Sequence, residues 1–325
     1  MKNILSISSV DRISRRSEHS AFTDIIKMSD HLIVCYRQAT NHVSADGHIE
    51  ICRISLINGQ RQYQQIRMRN TDLRDPKLSV DERGRLWLLA YARHTEAGKL
   101  KKTSMVSWFS DTGQSWSSAH HFGENYWWLW RIRWHAQTAY GFAYNRQANR
   151  VDFYAGHPGK AIEQVKSHAL SLKQHGLGYP NESDLAFTTQ GVCRAIVRRD
   201  ADTFSAQLGE SRPPYTSWRW KDLGMYVGGP VWLWLDETYA LMAGRGIKKD
   251  SLVTQVWLLN INNADITELV TLPSGEDNSY PGLCIHGDTL FVSYYSGHTD
   301  NETRVYLARV EGINQLRNVI KQRQV

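Results

Sequence analysis

Residues 109–116 read FSDTGQSW and close an apolar run, Thr103–Phe109 (TSMVSWF). This has the chemistry of a tight hairpin end. Asp111 is placed to accept bonds from turn amides, Gly113 supplies a positive φ, and Trp116 packs beneath the hairpin. The same grammar extends outward in both directions. Short runs rich in Val, Ile, Leu, Trp and Tyr recur at His31–Tyr36, His48–Leu56, Arg85–Tyr91 and Ala139–Tyr144. They continue at Cys193–Val197, Ser251–Leu259, Thr289–Tyr295 and Arg304–Val310, and several alternate apolar with polar residues. Asp46-Gly47, Asn58-Gly59, Arg83-Gly84, Gln190-Gly191 and Gly287-Asp288 punctuate them as turns.

The chain has 325 residues, 41% of them hydrophobic and 22% charged, which supports a sizeable core and excludes wholesale disorder. Many short strands at hairpin spacing read as a sandwich, a barrel or a propeller. At roughly 50–55 residues per four-stranded blade, the length predicts six blades. Helix candidates are few: Lys160–Gln174, which alternates well enough for a strand too, and Asn314–Gln324. No composition shift divides the chain, so residues 1–325 are expected to form a single all-β domain.

Lys and Arg number 39 against 32 acidic residues, a net charge of +7. That excess favours anionic ligands but is too small and dispersed for a nucleic-acid protein. The basic clusters Arg12–Arg16 and Arg317–Arg323 read as solvated termini. No segment approaches the roughly 18–20 apolar residues of a membrane span. The opening MKNILSISSVDR is too short in its apolar part for a signal peptide, so a cytoplasmic location is expected. Cys35, Cys52, Cys193 and Cys284 sit in apolar, strand-like stretches without metal or redox spacing, and read as buried thiols.

FSDTGQSW resembles the Asp-box, S-x-D-x-G-x-T-W, that repeats on the blades of sialidases, with Phe109 for the first Ser and Ser115 for Thr. Polar residues at strand ends extend the resemblance. Sialidases carry, in order, an arginine, an acidic acid/base, a glutamate, two more arginines and a tyrosine. Here Arg37 closes IVCYRQA, Asp75 lies in RDPKL, and Glu182 lies in YPNESDLAF. Arg198 and Arg199 end CRAIVRRD 16 or 17 residues later, Arg245 ends ALMAGR, and Tyr280 follows in EDNSYPGL 35 residues further on. The resemblance spans residues 37–280 and implies a sialidase-type six-bladed β-propeller.

It also implies a chemistry. Arg37, Arg245 and one of Arg198 or Arg199 would hold the carboxylate of a 2-keto sugar acid, as planar guanidinium forks do and an ammonium does not. Strand alternation turns only one of the adjacent pair into the cavity, and the sequence leaves open which. Tyr280 would be the nucleophile, a neutral group approaching a carbon already flanked by negative charge; Glu182 would take its proton. Asp75 would protonate the leaving oxygen and then activate water, with retention of configuration. His42, five residues after Arg37, is a candidate at the mouth, and Trp127, Trp128, Trp130 and Arg131 form an aromatic strand entry with either a packing or a sugar-binding role. No cofactor and no metal are expected, and the expected partner is an anionic sugar or glycoconjugate.

Sialic acid is the leading substrate reading. Kdn and Kdo stay open, with Kdo or a glycolipid at a membrane surface suiting a cytoplasmic enzyme. Two other classes stay open as well: a non-catalytic carbohydrate-binding propeller, and a propeller lyase in which His42 or His135 would matter. Contact between Tyr280 and Glu182 separates the hydrolase from the binding module.

Overall fold

The computed structural model describes residues 4–15 and 19–323. Arg16, at the end of the first basic cluster, and Gln324, at the end of the second helix candidate, lie outside the described residues. Six antiparallel sheets follow one another along the chain. Their first strands pack side by side around a common axis. These inner strands are His19–Met28, Thr71–Val80, the split pair Trp128–Leu129 and Arg133–His135, Pro180–Phe187, Gly228–Trp234 and Ser279–His286. We number the blades 1 to 6 in that order. The chain is a six-bladed β-propeller. Its ring closes where the N-terminal strand Ser6–Arg12 pairs with Arg304–Glu311 and becomes the outer strand of blade 6.

Apolar residues on both faces of each sheet build this arrangement, because every blade must bury two surfaces. The core accordingly divides into six clusters, one between each pair of neighbouring blades. Ile33, Ile49, Leu88 and Trp108 fill the space between blades 1 and 2. Ile196, Leu208, Trp232 and Met242 fill that between blades 4 and 5. The four cysteines are buried and unbridged within these layers. Lys160–Gln174 resolves as the strand Ile162–Ser171 with a single helical turn, Leu172–His175. The second helix candidate is a helix, Ile313–Arg323, with Ile313, Leu316 and Ile320 buried against blades 5 and 6. No helix among the described residues is long and apolar enough to cross a membrane.

The FSDTGQSW stretch makes its turn, with Gly113 at φ 72°. Trp116 packs against blade 1 and donates to Gln64 Oε1 at 3.1 Å. The acceptor for the turn amides differs from the sequence expectation. Ser110 Oγ accepts from Gly113 N at 2.8 Å, while Asp111 stands exposed and pairs with Arg85. Ser110 is the last strand residue and lies beneath the turn, so its hydroxyl reaches the amides first.

One irregularity repeats around the ring. In five inner strands, two residues face a single residue of the second strand near the same end. The bulged pairs are Phe22-Thr23, Asp75-Pro76, Asn181-Glu182, Gly229-Pro230 and Tyr280-Pro281. The first member has φ of 61° at Phe22, 47° at Asp75, 57° at Gly229 and 47° at Tyr280. Proline suits the second member, which is excused from donating to the ladder. In blade 3 the inner strand is interrupted outright between Leu129 and Arg133. A bulge bends the strand and re-aims a side chain, here toward the axis.

The C-terminal helix is expected to be part of the core. Leu316→Ala should cost about 2–5 kcal/mol of unfolding free energy in urea titrations followed by circular dichroism. A loss below about 1 kcal/mol would mean that the helix docks without contributing.

Candidate active site

The bulges converge on a cavity of about 370 Å³ whose wall includes Asp75 from blade 2, Glu182 from blade 4 and Tyr280 from blade 6. Tyr280 Oη donates to Glu182 Oε1 at 2.6 Å. Arg198 Nη1 reaches both, at 2.7 Å from Glu182 Oε2 and 2.9 Å from the phenol oxygen. Glu182 Oε2 also accepts the Gly229 amide at 2.8 Å. Gly229 is required there twice over. Its φ is 57°, and a Cβ would come within 2.9 Å of Tyr280 Cγ. Arg245 lies 5.1 Å from the Tyr280 ring centroid and is held by Asn278 O at 2.8 Å, Asp277 at 2.7 Å and Tyr295 Oη at 2.9 Å. Phe22 meets the Tyr280 ring edge-on at 5.3 Å, and Trp130 lies 5.8 Å from it.

The two carboxyl groups have opposite electrostatics. Burial alone would raise Glu182, but the Arg198 guanidinium, the bonds from Tyr280 and Arg198 and the Gly229 amide hold it below the usual range. Burial raises Asp75 from 3.8 to about 6, against the pull of Lys77 and Arg74 and with help from the negative Glu182. Asp75 is 5% exposed and its Oδ1 is without a hydrogen-bond partner. Burial also pushes the Tyr280 phenol well above 10, and Glu182 adds to this while Arg198 and Arg245 oppose it. The resting arrangement is a neutral phenol, an ionised Glu182, and an Asp75 that titrates near neutrality. Such a divided pair is how one site keeps an acid and a base at one pH.

The structure brings Asp75, Glu182 and Tyr280 onto the cavity wall, with Arg198 and Arg245 behind them against Tyr280. Arg198 opposes the Asn181-Glu182 bulge and faces inward; its neighbour Arg199 is turned away and buried, bonded to Gly178 O at 3.2 Å and to Asp202 at 2.6 Å. Arg37 does not line the cavity. It is fully buried on the second strand of blade 1, where it pairs with Asp72 at 2.8 Å and donates to Asn41 O and Ser44 O. Gly47 leaves room for this pair, since a Cβ there would fall 2.0 Å from Asp72 Oδ1. Asp72 of blade 2 faces Arg37 and holds its guanidinium in the interblade layer, and the residue that the blade 1 bulge turns to the cavity is Phe22. Arg37 therefore supports the loop that carries His42. His42 lines the cavity and pairs with Asp277 at 3.1 Å.

Among the described residues, His19, His42 and Asp277 bring three ligand-type atoms within 4.8 Å of one another. The charges of Arg37 and Arg74 act on His19, and Arg245 already engages Asp277, so the trio is built into an arginine network. His135 stacks on Phe187 in a separate cavity with Trp134 and Trp232. Sequence reasoning missed Arg74, Arg93 and Arg146, all on the cavity wall, and the supporting rings Tyr91 and Tyr144. RDPKL contained the first of these, next to Asp75.

No family model matches the sequence, and no curated protein matches it either. Solved structures are similar in fold. A Dyadobacter fermentans protein of unknown function superposes with a TM-score of 0.80 at 17% identity, over 95% of this chain and 99% of that one. Trypanosoma rangeli sialidase in complex with the inhibitor DANA gives 0.75 at 10% identity, over 98% of this chain and 62% of the sialidase. Penicillium chrysogenum alpha-L-arabinanase complexed with arabinobiose gives 0.69 at 14% identity, over 94% and 98%. The chain thus has the sialidase-like six-bladed propeller fold.

The raised Asp75 carboxyl has a signature in stability. Its folded-state value, about 6, lies above the ordinary 3.8, so the folded chain holds this proton more tightly than the unfolded chain does. The resulting stabilisation is complete below about pH 4 and is lost as pH rises through 6. Asp75→Asn lacks that loss. Its stability relative to wild type should therefore climb between pH 4 and 8 by up to about 3 kcal/mol in parallel denaturations. A difference that stays flat over that range would mean that Asp75 ionises freely.

Proposed function

We propose that the chain is a retaining exo-glycosidase acting on the terminal ketoside of a 2-keto sugar acid, with Tyr280 as nucleophile, Glu182 as its base and Asp75 as acid/base. The observation that carries this reading is the 2.6 Å bond from Tyr280 Oη to Glu182, with Arg198 on both. A module that only bound sugar would have no use for a phenol held against an ionised carboxylate. The likeness in fold to a sialidase and an arabinanase supports a glycoside hydrolase in the coarser sense.

In the first step Tyr280 Oη attacks the anomeric carbon and Glu182 takes the phenolic proton. The glycosidic C–O bond breaks as Asp75 protonates the leaving oxygen. Arg198 Nη1 already donates to the phenol oxygen and stabilises its developing negative charge without reorganisation. In the second step Asp75 removes a proton from water, water attacks the same carbon, and Tyr280 Oη departs and recovers its proton from Glu182. Two inversions retain configuration. The substrate carboxylate would be met by Arg74 on the cavity wall, in place of the buried Arg37, with the charges of Arg198 and Arg245 behind Tyr280 in support.

Hydrolysis of 4-methylumbelliferyl ketosides of Neu5Ac, Kdn and Kdo tests this and names the sugar. At least one should turn over, and Tyr280→Phe should lower kcat by ~10³-fold or more. If none turns over while a free keto acid binds saturably, the chain is a binding propeller. Gly229→Ala forms a second test. The added methyl displaces Tyr280 and strains a left-handed backbone, so kcat should fall at least about tenfold with a stability loss of about 1–3 kcal/mol. Wild-type turnover in this variant would show that the Tyr280 position does not matter.

A further inference from the structure

The part of the cavity wall built by blades 2 and 3 has two unusual properties. The first is an aromatic stack. Trp128 lies face to face with Tyr91 at 4.0 Å and 8°, and with Tyr144 on its other side at 5.6 Å and 15°. Tyr91 and Tyr144 are buried, whereas Trp128 is half-buried and keeps surface on the cavity. A rigid, amphipathic edge of this kind suits the apolar face of a sugar ring.

The second is uncompensated positive charge. A single carboxylate, Asp72, serves three guanidinium groups. Arg37 takes its Oδ1 at 2.8 Å, while Arg74 and Arg93 lie 3.6 and 3.7 Å from Oδ2, which forms no hydrogen bond. Arg74 and Arg93 both face the cavity. From blade 3, Arg146 faces it too, exposed and without an ion pair among those the structure forms between described residues. Its charge acts on both Tyr91 and Tyr144, which places it beside the stack. On the other side of the ledger, Glu182 is matched by Arg198 and Asp75 is protonated below about 6. This wall is positive on balance.

We infer that the blade 2–3 wall is a second subsite, which receives a sugar bearing its own negative charge, a carboxylate or a phosphate ester, set against the exposed edge of Trp128 and gripped by Arg93 and Arg146. Under the proposed function, on which only this assignment of place rests, it is the leaving-group side, because Asp75, the acid for the leaving oxygen, comes from blade 2, one of the two blades that build it. The natural substrate would then be charged on both sides of the bond that is cut. Planar guanidinium groups on a partly dry wall favour oxyanions through paired, charge-assisted bonds, and the preference weakens with salt.

Binding of glucuronate, glucose 6-phosphate and glucose to the whole chain, measured by ligand-observed NMR, tests the inference without needing turnover. At least one charged sugar should bind about tenfold or more tighter than glucose, and the stronger of the two tells carboxylate from phosphate. The preference should fall below about threefold in Arg146→Gln, and likewise in about 0.5 M salt. Trp128→Ala should weaken all three ligands. Arg146 is exposed, so its variant folds. Equal binding of charged and neutral sugars, or a preference that survives both Arg146→Gln and Arg93→Gln, would overturn the inference. A chain that selects charge but hydrolyses no ketoside would keep this subsite and lose the proposed reaction.

Discussion

The pocket depends on a two-for-one step in the inner strands. A regular strand reaching the mouth would send alternate side chains into the layers between blades, as Leu73, Leu78 and Leu185 do. Where two residues face one, the alternation breaks and a side chain turns to the axis instead. Four of the five bulged pairs begin with a residue in the left-handed region, and two of those are Asp75 and Tyr280. Such backbone is unfavourable for a residue with a Cβ by about 1–3 kcal/mol and persists only where the surroundings over-determine it. Six packed interblade layers supply that constraint. Two of the three groups with reactive chemistry, Asp75 and Tyr280, are therefore set on strained points of an otherwise regular frame.

The same geometry sorts the charges. Glu182 arrives beside Arg198 because Arg198 is the residue that its own bulge opposes, and the Gly229 bulge of the next blade adds an amide. Asp75 arrives without an equivalent partner, with one oxygen unbonded, so burial dominates its ionisation. The two carboxyl groups diverge because their blades place different second-strand residues opposite the bulge: Arg198 in blade 4, Ala90 in blade 2. A phenol between two arginines and an ionised Glu182 completes the set. The arrangement combines a proton acceptor held ready, a proton donor near neutrality, and cations where negative charge would develop.

Much of the frame was legible in the residues. Period-two runs and Gly-containing turns announce antiparallel strands, and the length divided by a blade's worth of chain points to six. A finer repeat was also present. Pro76, Pro230 and Pro281 are 154 and 51 residues apart, which is three blades and one, and each follows the first residue of a bulge. The arginines were harder to read. IVCYRQA and CRAIVRRD look alike as strand ends, yet both Arg37 and Arg198 lie on second strands and only Arg198 reaches the site. Nothing local distinguishes them, because the difference lies in what faces each across the sheet: Asp72 from blade 2 for one, Glu182 and Tyr280 for the other. Asp111 and Ser110 pose the same problem in miniature, since the turn amides go to whichever oxygen lies beneath them.

By itself, then, the sequence determined the strands, their number and the types of residue able to do acid–base and nucleophilic work, because these follow from periodicity, length and side-chain chemistry. Convergence was decided by the tertiary structure alone. Residues 75, 182 and 280 come from blades 2, 4 and 6, and no local rule couples strands about a hundred residues apart. Their meeting depends on ring closure by Ser6–Arg12 and on interblade packing. The cationic wall of Arg74, Arg93 and Arg146 was equally unreadable in one dimension. An arginine's charge is neutralised or left available by its neighbours in space, and those are chosen only when the ring closes.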